Sequence, residues 1–276
     1  MKKVLSILFL ALLTITLGAC QKEETVYLVG ASPTPHAEIL AHVQPILEAQ
    51  GYTFEVVEFT DYVLPNSALA SGDIIANYFQ HVPYLNAQIA EYGYDFVNVG
   101  GVHVEPIGLY TKKYSSLSEL PTNLELIISN SPTDRPRLLG VLEENGLITI
   151  NDSVTSEDII NATITNLPTL FTSDYTISFV EVSAELLFAN YDNEEGDAVL
   201  INGNYALDNG LNPLEDAIAL EGSASQYVNI VVTTSENANN PFILALVAAL
   251  QSEETQAWIA DQYGGAVVPA APATNE

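Results

Sequence analysis

Both arginines of the chain lie in one stretch, Asn130-Ser131-Pro132-Thr133-Asp134-Arg135-Pro136-Arg137, just before the helical pattern Leu138-Leu139-Gly140-Val141-Leu142. Pro136 suits the opening turn of that helix, which puts Arg137 in the first turn. A lone cation is misplaced there, because the aligned peptide dipoles already make a helix N-terminus positive. An anion held at that end removes the conflict, since backbone N–H groups and a guanidinium fork then converge on it. Arg137 is therefore a candidate anion-binding residue, whereas Arg135 is expected to face solvent.

A second cluster, Tyr78-Phe79-Gln80-His81-Val82-Pro83-Tyr84, ends a strand pattern, where open α/β sheets place ligands. Strand alternation sets Phe79 and His81 on the opposite side from Tyr78 and Gln80. With Tyr62 the cluster offers aromatic walls and one imidazole, surfaces that suit an apolar or thioether side chain. Aromatics after a strand also serve as plain core, and composition alone does not separate the two uses. His36, Glu38, His42, His81, His103 and Glu105 supply the ligand types of a divalent-metal site. His36 and His42, six apart, fall on opposite faces of a helix and do not share a site within it. The chain has neither a Gly-x-Ser-x-Gly elbow nor a His-Glu-x-x-His pair nor a Gly-rich phosphate loop, which leaves an enzymatic reading resting on His81 alone.

The elements that must position these residues alternate. Val26 to Gly30 reads as a strand and Ser32 to Pro35 as a turn. Ile39, Val43, Ile46 and Leu47 then recur at helical spacing up to Gly51, with Pro45 expected to kink or break the helix. Phe54–Phe59, Ile74–Phe79 and Asp95–Val99 follow as strands, with helices over Asn66–Gly72 and from Pro83 to Gly93 between them. Ile107 to Thr111 reads as a crossover into a second α/β lobe, with strands over Leu124–Ser129, Ile177–Val182 and Ala198–Ile201. Tyr227 to Thr233 is the way back, and one helix is expected from Pro241 to Trp258. Residues 151–170 carry no clear pattern, and Ala270–Glu276 reads as a disordered tail. Strands alternating with helices at this spacing predict parallel α/β units with helices on both sheet faces.

The N-terminus sets the compartment. Lys2 and Lys3 precede the apolar run Val4–Leu17, and Leu17-Gly18-Ala19-Cys20 closes it, the pattern of a secretory signal too short to span a bilayer comfortably. The last four residues resemble a bacterial lipobox, which implies a lipid on Cys20, the sole cysteine of the chain. Residues 1–19 are then a signal peptide, 20–25 a short tether, and the body is expected at the outer face of the cell membrane. Loss of Lys2 and Lys3 moves the formal charge from −28 to −30. Such an excess of carboxylates repels nucleic acid and anionic membrane surfaces, so neither is an expected partner beyond the lipid itself. About 255 residues remain, enough for two packed lobes.

Taken together, several stretches are similar to the methionine-binding lipoproteins of ABC importers, the NlpA/MetQ-type family. These are Phe59-Thr60-Asp61-Tyr62-Val63-Leu64-Pro65-Asn66, Ala76 to Leu85, His103-Val104-Glu105-Pro106-Ile107-Gly108-Leu109-Tyr110, Asn130 with Pro132-Thr133, and Arg137-Leu138-Leu139. Ile201-Asn202, Asn204-Tyr205-Ala206, Tyr227-Val228-Asn229 and Gly265-Ala266-Val267-Val268-Pro269 keep the same order and approximate spacing. The resemblance implies a type II periplasmic-binding-protein fold with two hinge-crossing strands. Its first lobe takes 26–108 with 226–276, and its second takes 109–225. It implies that Arg137 pairs with a ligand carboxylate, that Tyr62, Phe79, His81 and Tyr84 surround the ligand side chain, and that Asn202 and Asn229 fix its polar end. It further implies a methionine-like ligand with no cofactor and no catalysis, and an ABC permease with its ATPase as partner. A divalent-metal-binding lipoprotein is the alternative. The chain departs from the family pattern beside the arginine. After Asn130 the family usually has Asp, and before the arginine an Asn and a Gly, where this chain has Ser131, Asp134, Arg135 and Pro136. The run after Val182 and the 151–170 region differ as well.

Overall fold

The computed structural model describes residues 25–222 and 227–270. Cys20, the signal segment, most of the tether, the start of the 226–276 segment and all but the first residue of the tail lie outside them. The strands are β1 (Val26–Ala31), β2 (Thr53–Glu58), β3 (Ala76–His81), β4 (Phe96–Val104), β5 (Gly108–Tyr110), β6 (Asn123–Ser129), β7 (Thr149–Ile150), β8 (Phe171–Thr172), β9 (Thr176–Val182), β10 (Ala198–Ile201), β11 (Ala219–Leu220), β12 (Asn229–Thr234) and β13 (Val268–Pro269). The helices used below are α1 (Glu38–Glu48), α2 (Leu64–Ser71), α3 (Val82–Tyr92), α4 (Arg135–Glu144), α5 (Gly203–Asp208), α6 (Pro241–Leu250) and α7 (Glu253–Tyr263).

Two sheets make two lobes. The first has the order β13-β4-β12-β3-β1-β2 and the second β11-β5-β10-β6-β9. Within the first, β1 pairs parallel with β2 and β3, while β12 inserts antiparallel between β3 and β4. In the second, β6 pairs parallel with β9 and β10, and the short β5 runs antiparallel to β10. Each sheet buries apolar side chains on both faces. Leu40, Val43, Phe242 and Leu246 cover one side of the first sheet and Leu69, Leu85 and Ile230 the other. The second is packed by Leu126, Leu138 and Leu142 on one side and by Leu187, Val199 and Tyr205 on the other. The chain crosses between lobes after β4, through Glu105-Pro106-Ile107, and returns between β11 and β12.

Three expectations are corrected here. The helix over Pro45 does not stop there: α1 continues to Glu48. The strand expected to end at Val99 runs on through Gly100 and Gly101 to Val104. Glycine is needed in it because a Cβ at Gly100 would meet Val247 Cγ1 at 2.6 Å and one at Gly101 would meet Val228 Cγ1 at 2.8 Å. The single helix expected over 241–258 is two. Ser252 breaks it by capping α7, its Oγ accepting from the Thr255 amide at 3.2 Å.

Candidate functional site

Where the lobes meet there is a cavity partly open to solvent. The first lobe contributes Tyr62, Phe79, Gln80, His81, Tyr84 and Asn229, and the second Asp134, Arg137, Asn202, Gly203 and Asn204. Glu105 lines it from the crossover. The lobes touch across this space. The Tyr62 hydroxyl donates to Asn204 Oδ1 at 2.6 Å, and Tyr205 donates to the Thr60 carbonyl at 3.2 Å. A closed arrangement of this kind depends on Gly203, where a Cβ would stand 2.7 Å from Glu105 Cβ and 2.9 Å from the Pro106 carbonyl.

Local structure explains how each wall is presented. In the pairing of β3 with β12, Gln80 opposes Ile230 and Tyr78 opposes Val231, so Phe79 is the extra residue of a bulge. A bulge breaks the two-residue alternation, and Gln80 borders the cavity along with Phe79 and His81 while its side-chain amide bonds Asn66 and Asn77. Tyr78 is buried on the other side, against His36 and His103. His81 caps α3, its Nδ1 accepting from the Tyr84 amide at 3.3 Å. That bond assigns the ring proton to Nε2, which faces Asp134 Oδ1 at 3.6 Å from across the cleft. Tyr84 is held by its hydroxyl, which donates to the Tyr62 carbonyl at 2.8 Å.

The polar end centres on Arg137, buried in the first turn of α4. Its Nε donates to both carboxylate oxygens of Glu221 at 2.9 Å, Nη2 lies 2.6 Å from Glu221 Oε2, and Nη2 also donates to the Glu105 carbonyl. The guanidinium lies over the Tyr227 ring, 5.0 Å from its centroid. Burial works against its charge, but Glu221, Asp134 and Glu105 hold its pKa above the ordinary arginine value. Burial likewise opposes the Asp134 carboxylate, yet His81, Arg137 and Asn202 bring it below the usual range. Asn202 Nδ2 donates to Asp134 Oδ2 at 3.3 Å.

Behind the cavity sits a buried chain of polar rings. The Tyr78 hydroxyl bonds His103 Nδ1, and His103 Nε2 lies 2.5 Å from Glu105 Oε1. His36 Nε2 lies 3.2 Å from that same oxygen and 3.0 Å from Asn229 Oδ1. Burial lowers the pKa of His36 to about 4 and of His103 to about 3 and raises that of Glu105, so both imidazoles are neutral. Of the six metal-ligand candidates, His36, His103 and Glu105 come together. His103 Nε2 and His36 Nε2 both engage Glu105 Oε1 and His103 Nδ1 engages Tyr78, while His36 Nδ1 has no partner among the described residues; His103 Nε2 stands closer to Oε1 than two ligands of one ion would. Glu38 bonds Thr34 and Tyr263 instead, and His42 stacks on Trp258.

The sequence profile of the NlpA lipoproteins matches residues 28–271. The chain belongs to the NlpA lipoprotein family. The methionine-binding lipoprotein MetQ of Bacillus subtilis is 40% identical over 243 residues, 87% of this chain and 86% of that protein. A solved pheromone cOB1 precursor/lipoprotein of the YaeC family from Enterococcus faecalis superposes with a TM-score of 0.83 at 49% identity, covering 89% of this chain and 100% of that one. A nutrient binding protein from Burkholderia cenocepacia, solved bound to methionine, gives 0.79 at 36% identity over 88% and 99% of the two chains. The two-lobed fold is thus the one expected for the family.

Tyr62, Phe79, His81, Tyr84, Arg137, Asn202 and Asn229 all lie on the wall of the one cavity. Sequence reasoning missed Gln80, Glu105, Asp134, Gly203 and Asn204. Glu105 stands out in the sequence only as a candidate metal ligand beside His103, not as a cavity residue. Arg135 does not face solvent. It is buried, its Nε and Nη2 bond Glu181 Oε1 at 2.9 and 2.7 Å, and its Nη1 donates to the carbonyls of Ile160 and Ala162 at 3.1 and 2.6 Å. The unpatterned 151–170 stretch supplies those carbonyls at the end of the helix Ser156–Asn161, where a cation is favourably placed.

Proposed function

We propose that this protein captures a free amino acid with an apolar side chain, methionine first among candidates, between its lobes and delivers it to an ABC permease. The observation that carries the reading is the mixed lining of the cavity: a guanidinium and amides together with the rings of Tyr62, Phe79, His81 and Tyr84. In this reading Arg137 takes the ligand carboxylate while Glu221 holds the guanidinium in place. Asn202 and Asn229 fix the polar end, and the aromatic faces and edges receive the thioether. The names of the relatives support methionine as the ligand. The lobes, 26–108 with 226–276 and 109–225, close on the ligand because it gains contacts in the closed form that the open form lacks. The body is anchored by a lipid on Cys20 at the outer face of the cell membrane, and the energy for release comes from the permease's ATPase. No group in the cavity is asked to do covalent chemistry.

Calorimetry on protein stripped of endogenous ligand tests this. One equivalent of L-methionine or of a methionine dipeptide is expected to bind, and Arg137→Ala to weaken binding by at least tenfold. The reading is wrong if no amino acid or short methionine peptide binds.

A further inference from the structure

Asp134 is one of two carboxyl side chains on the wall of the cavity. It is 2% exposed, and among the described residues its carboxylate meets only two side-chain donors. One is Asn202 Nδ2 at 3.3 Å, and the other is His81 Nε2 at 3.6 Å, beyond hydrogen-bond distance. A carboxylate only accepts, so it fixes the Asn202 amide with nitrogen towards Asp134 and leaves Oδ1 on the other side. That Oδ1 is buried and has no hydrogen-bond partner. An orphaned buried acceptor is costly and calls for a donor. Beside Asp134, then, the wall presents two acceptors short of donors, one of them charged.

Among the described residues no other side chain of the cavity donates to either acceptor. Arg137, the nearest cation, has Nε and Nη2 committed to Glu221 and the Glu105 carbonyl. His81 has one ring nitrogen committed to the Tyr84 amide. Glu221 is already paired with Arg137, and the wall itself adds the carboxyl groups of Glu105 and Asp134, so it holds more acidic than basic side chains. The complementary ligand group is a compact cation with several N–H donors, and an α-ammonium has three.

We infer that Asp134, with Asn202 Oδ1, forms an anionic subsite that binds the α-ammonium group of the ligand and makes this protein select for a free, charged amino group. This rests on the amino-acid reading above and goes beyond it. The site rejects analogues that keep the carboxylate and thioether but lack the ammonium, because they leave a buried carboxylate and a buried amide oxygen unpaired. Asp134→Asn removes the charge without changing the shape of the wall.

The experiment is calorimetry of wild type and Asp134→Asn with L-methionine, with its des-amino analogue 4-(methylthio)butanoate, and with N-acetyl-L-methionine. Wild type is expected to prefer L-methionine strongly over both analogues. In Asp134→Asn, L-methionine is expected to weaken about 10- to 100-fold, the range for a charge-assisted hydrogen bond, with the des-amino analogue bound no more weakly than by wild type. The inference is overturned if Asp134→Asn leaves the preference as it was, or weakens both ligands equally. If the variant does not fold, wild type alone decides, and equal binding of L-methionine and the des-amino analogue overturns it. If wild type binds L-methionine in none of these titrations, the amino-acid reading itself falls and takes this subsite with it.

Discussion

The hydrogen bond from the Tyr62 hydroxyl to Asn204 Oδ1, 2.6 Å long, joins one lobe to the other. Tyr62→Phe removes it while keeping the ring against Phe79 at 6.1 Å and Tyr205 at 5.1 Å between centroids. A hydrogen bond of this kind contributes about 0.5–1.5 kcal/mol net, and an acceptor stranded without water costs about 1–3. Asn204 is 5% exposed, so part of that penalty applies and the closed form loses about 1–2 kcal/mol. The open form does not make this bond and loses nothing. The whole difference therefore appears in ligand affinity, as a Kd raised about 5- to 30-fold. Calorimetry gives the Kd, and stopped-flow fluorescence should place most of the change in the dissociation rate. Thermal unfolding without ligand should move little. A Kd within twofold of wild type, or an equal loss in the stability of the empty protein, would refute the reasoning.

Other outcomes follow from particular contacts. Gly203→Ala puts a Cβ against Glu105 and Pro106, so it should block closure and lower affinity for L-methionine at least tenfold while the empty protein unfolds near the wild-type temperature. Arg135→Ala strands Glu181 and two carbonyls, and should cost about 2–4 kcal/mol in chemical denaturation, with hydrogen exchange rising first over 156–182. His36, at about 4, and His103, at about 3, stay neutral in the fold but take protons near pH 6.5 when unfolded. Below pH 6.5 the unfolded chain thus binds more protons, and stability falls as pH drops towards 4 by at most about 2.7 kcal/mol per pH unit. Glu105, raised by burial, acts in the opposite sense over the lower part of that window. Denaturation of wild type and His36→Gln at pH 7 and pH 5 isolates the His36 share, and an equal pH dependence in both would contradict it. Zinc should not compete with L-methionine, because an ion at His36, His103 and Glu105 would have to break the contacts both histidines make with Glu105 Oε1; competition in a calorimetric titration would revive the metal reading.

Local signals carried much of the fold. Gly72 and Gly93, at φ +81° and +70°, end α2 and α3 where the pattern placed the stops, and Pro83 and Pro136 sit in the opening turns of α3 and α4. What escaped depends on partners distant in the chain. The antiparallel insertion of β12 between β3 and β4 has no local signature, and neither has the bulge at Phe79 that breaks the alternation of β3. Ser252 reads as an ordinary polar residue until its Oγ is seen on the Thr255 amide. Arg135 looked exposed because nothing in 151–170 announced a fold able to cover it. The aromatic wall and Arg137 could be singled out as unusual residues in unusual places. Asp134, one of 35 acidic residues, stands out in the sequence only as a departure from the family pattern beside Arg137, and its place opposite His81 depends on the fold.

The central claim is that an amino acid lies enclosed between the lobes, its carboxylate on Arg137 and its side chain among Tyr62, Phe79, His81 and Tyr84. A crystal structure of the stripped protein regrown with L-methionine tests it most directly. The expected result is one methionine in that cavity, with carboxylate oxygens within hydrogen-bond distance of the guanidinium and sulfur against the rings. Density for methionine elsewhere, or an empty cleft with Arg137 turned to bulk solvent, would contradict the account.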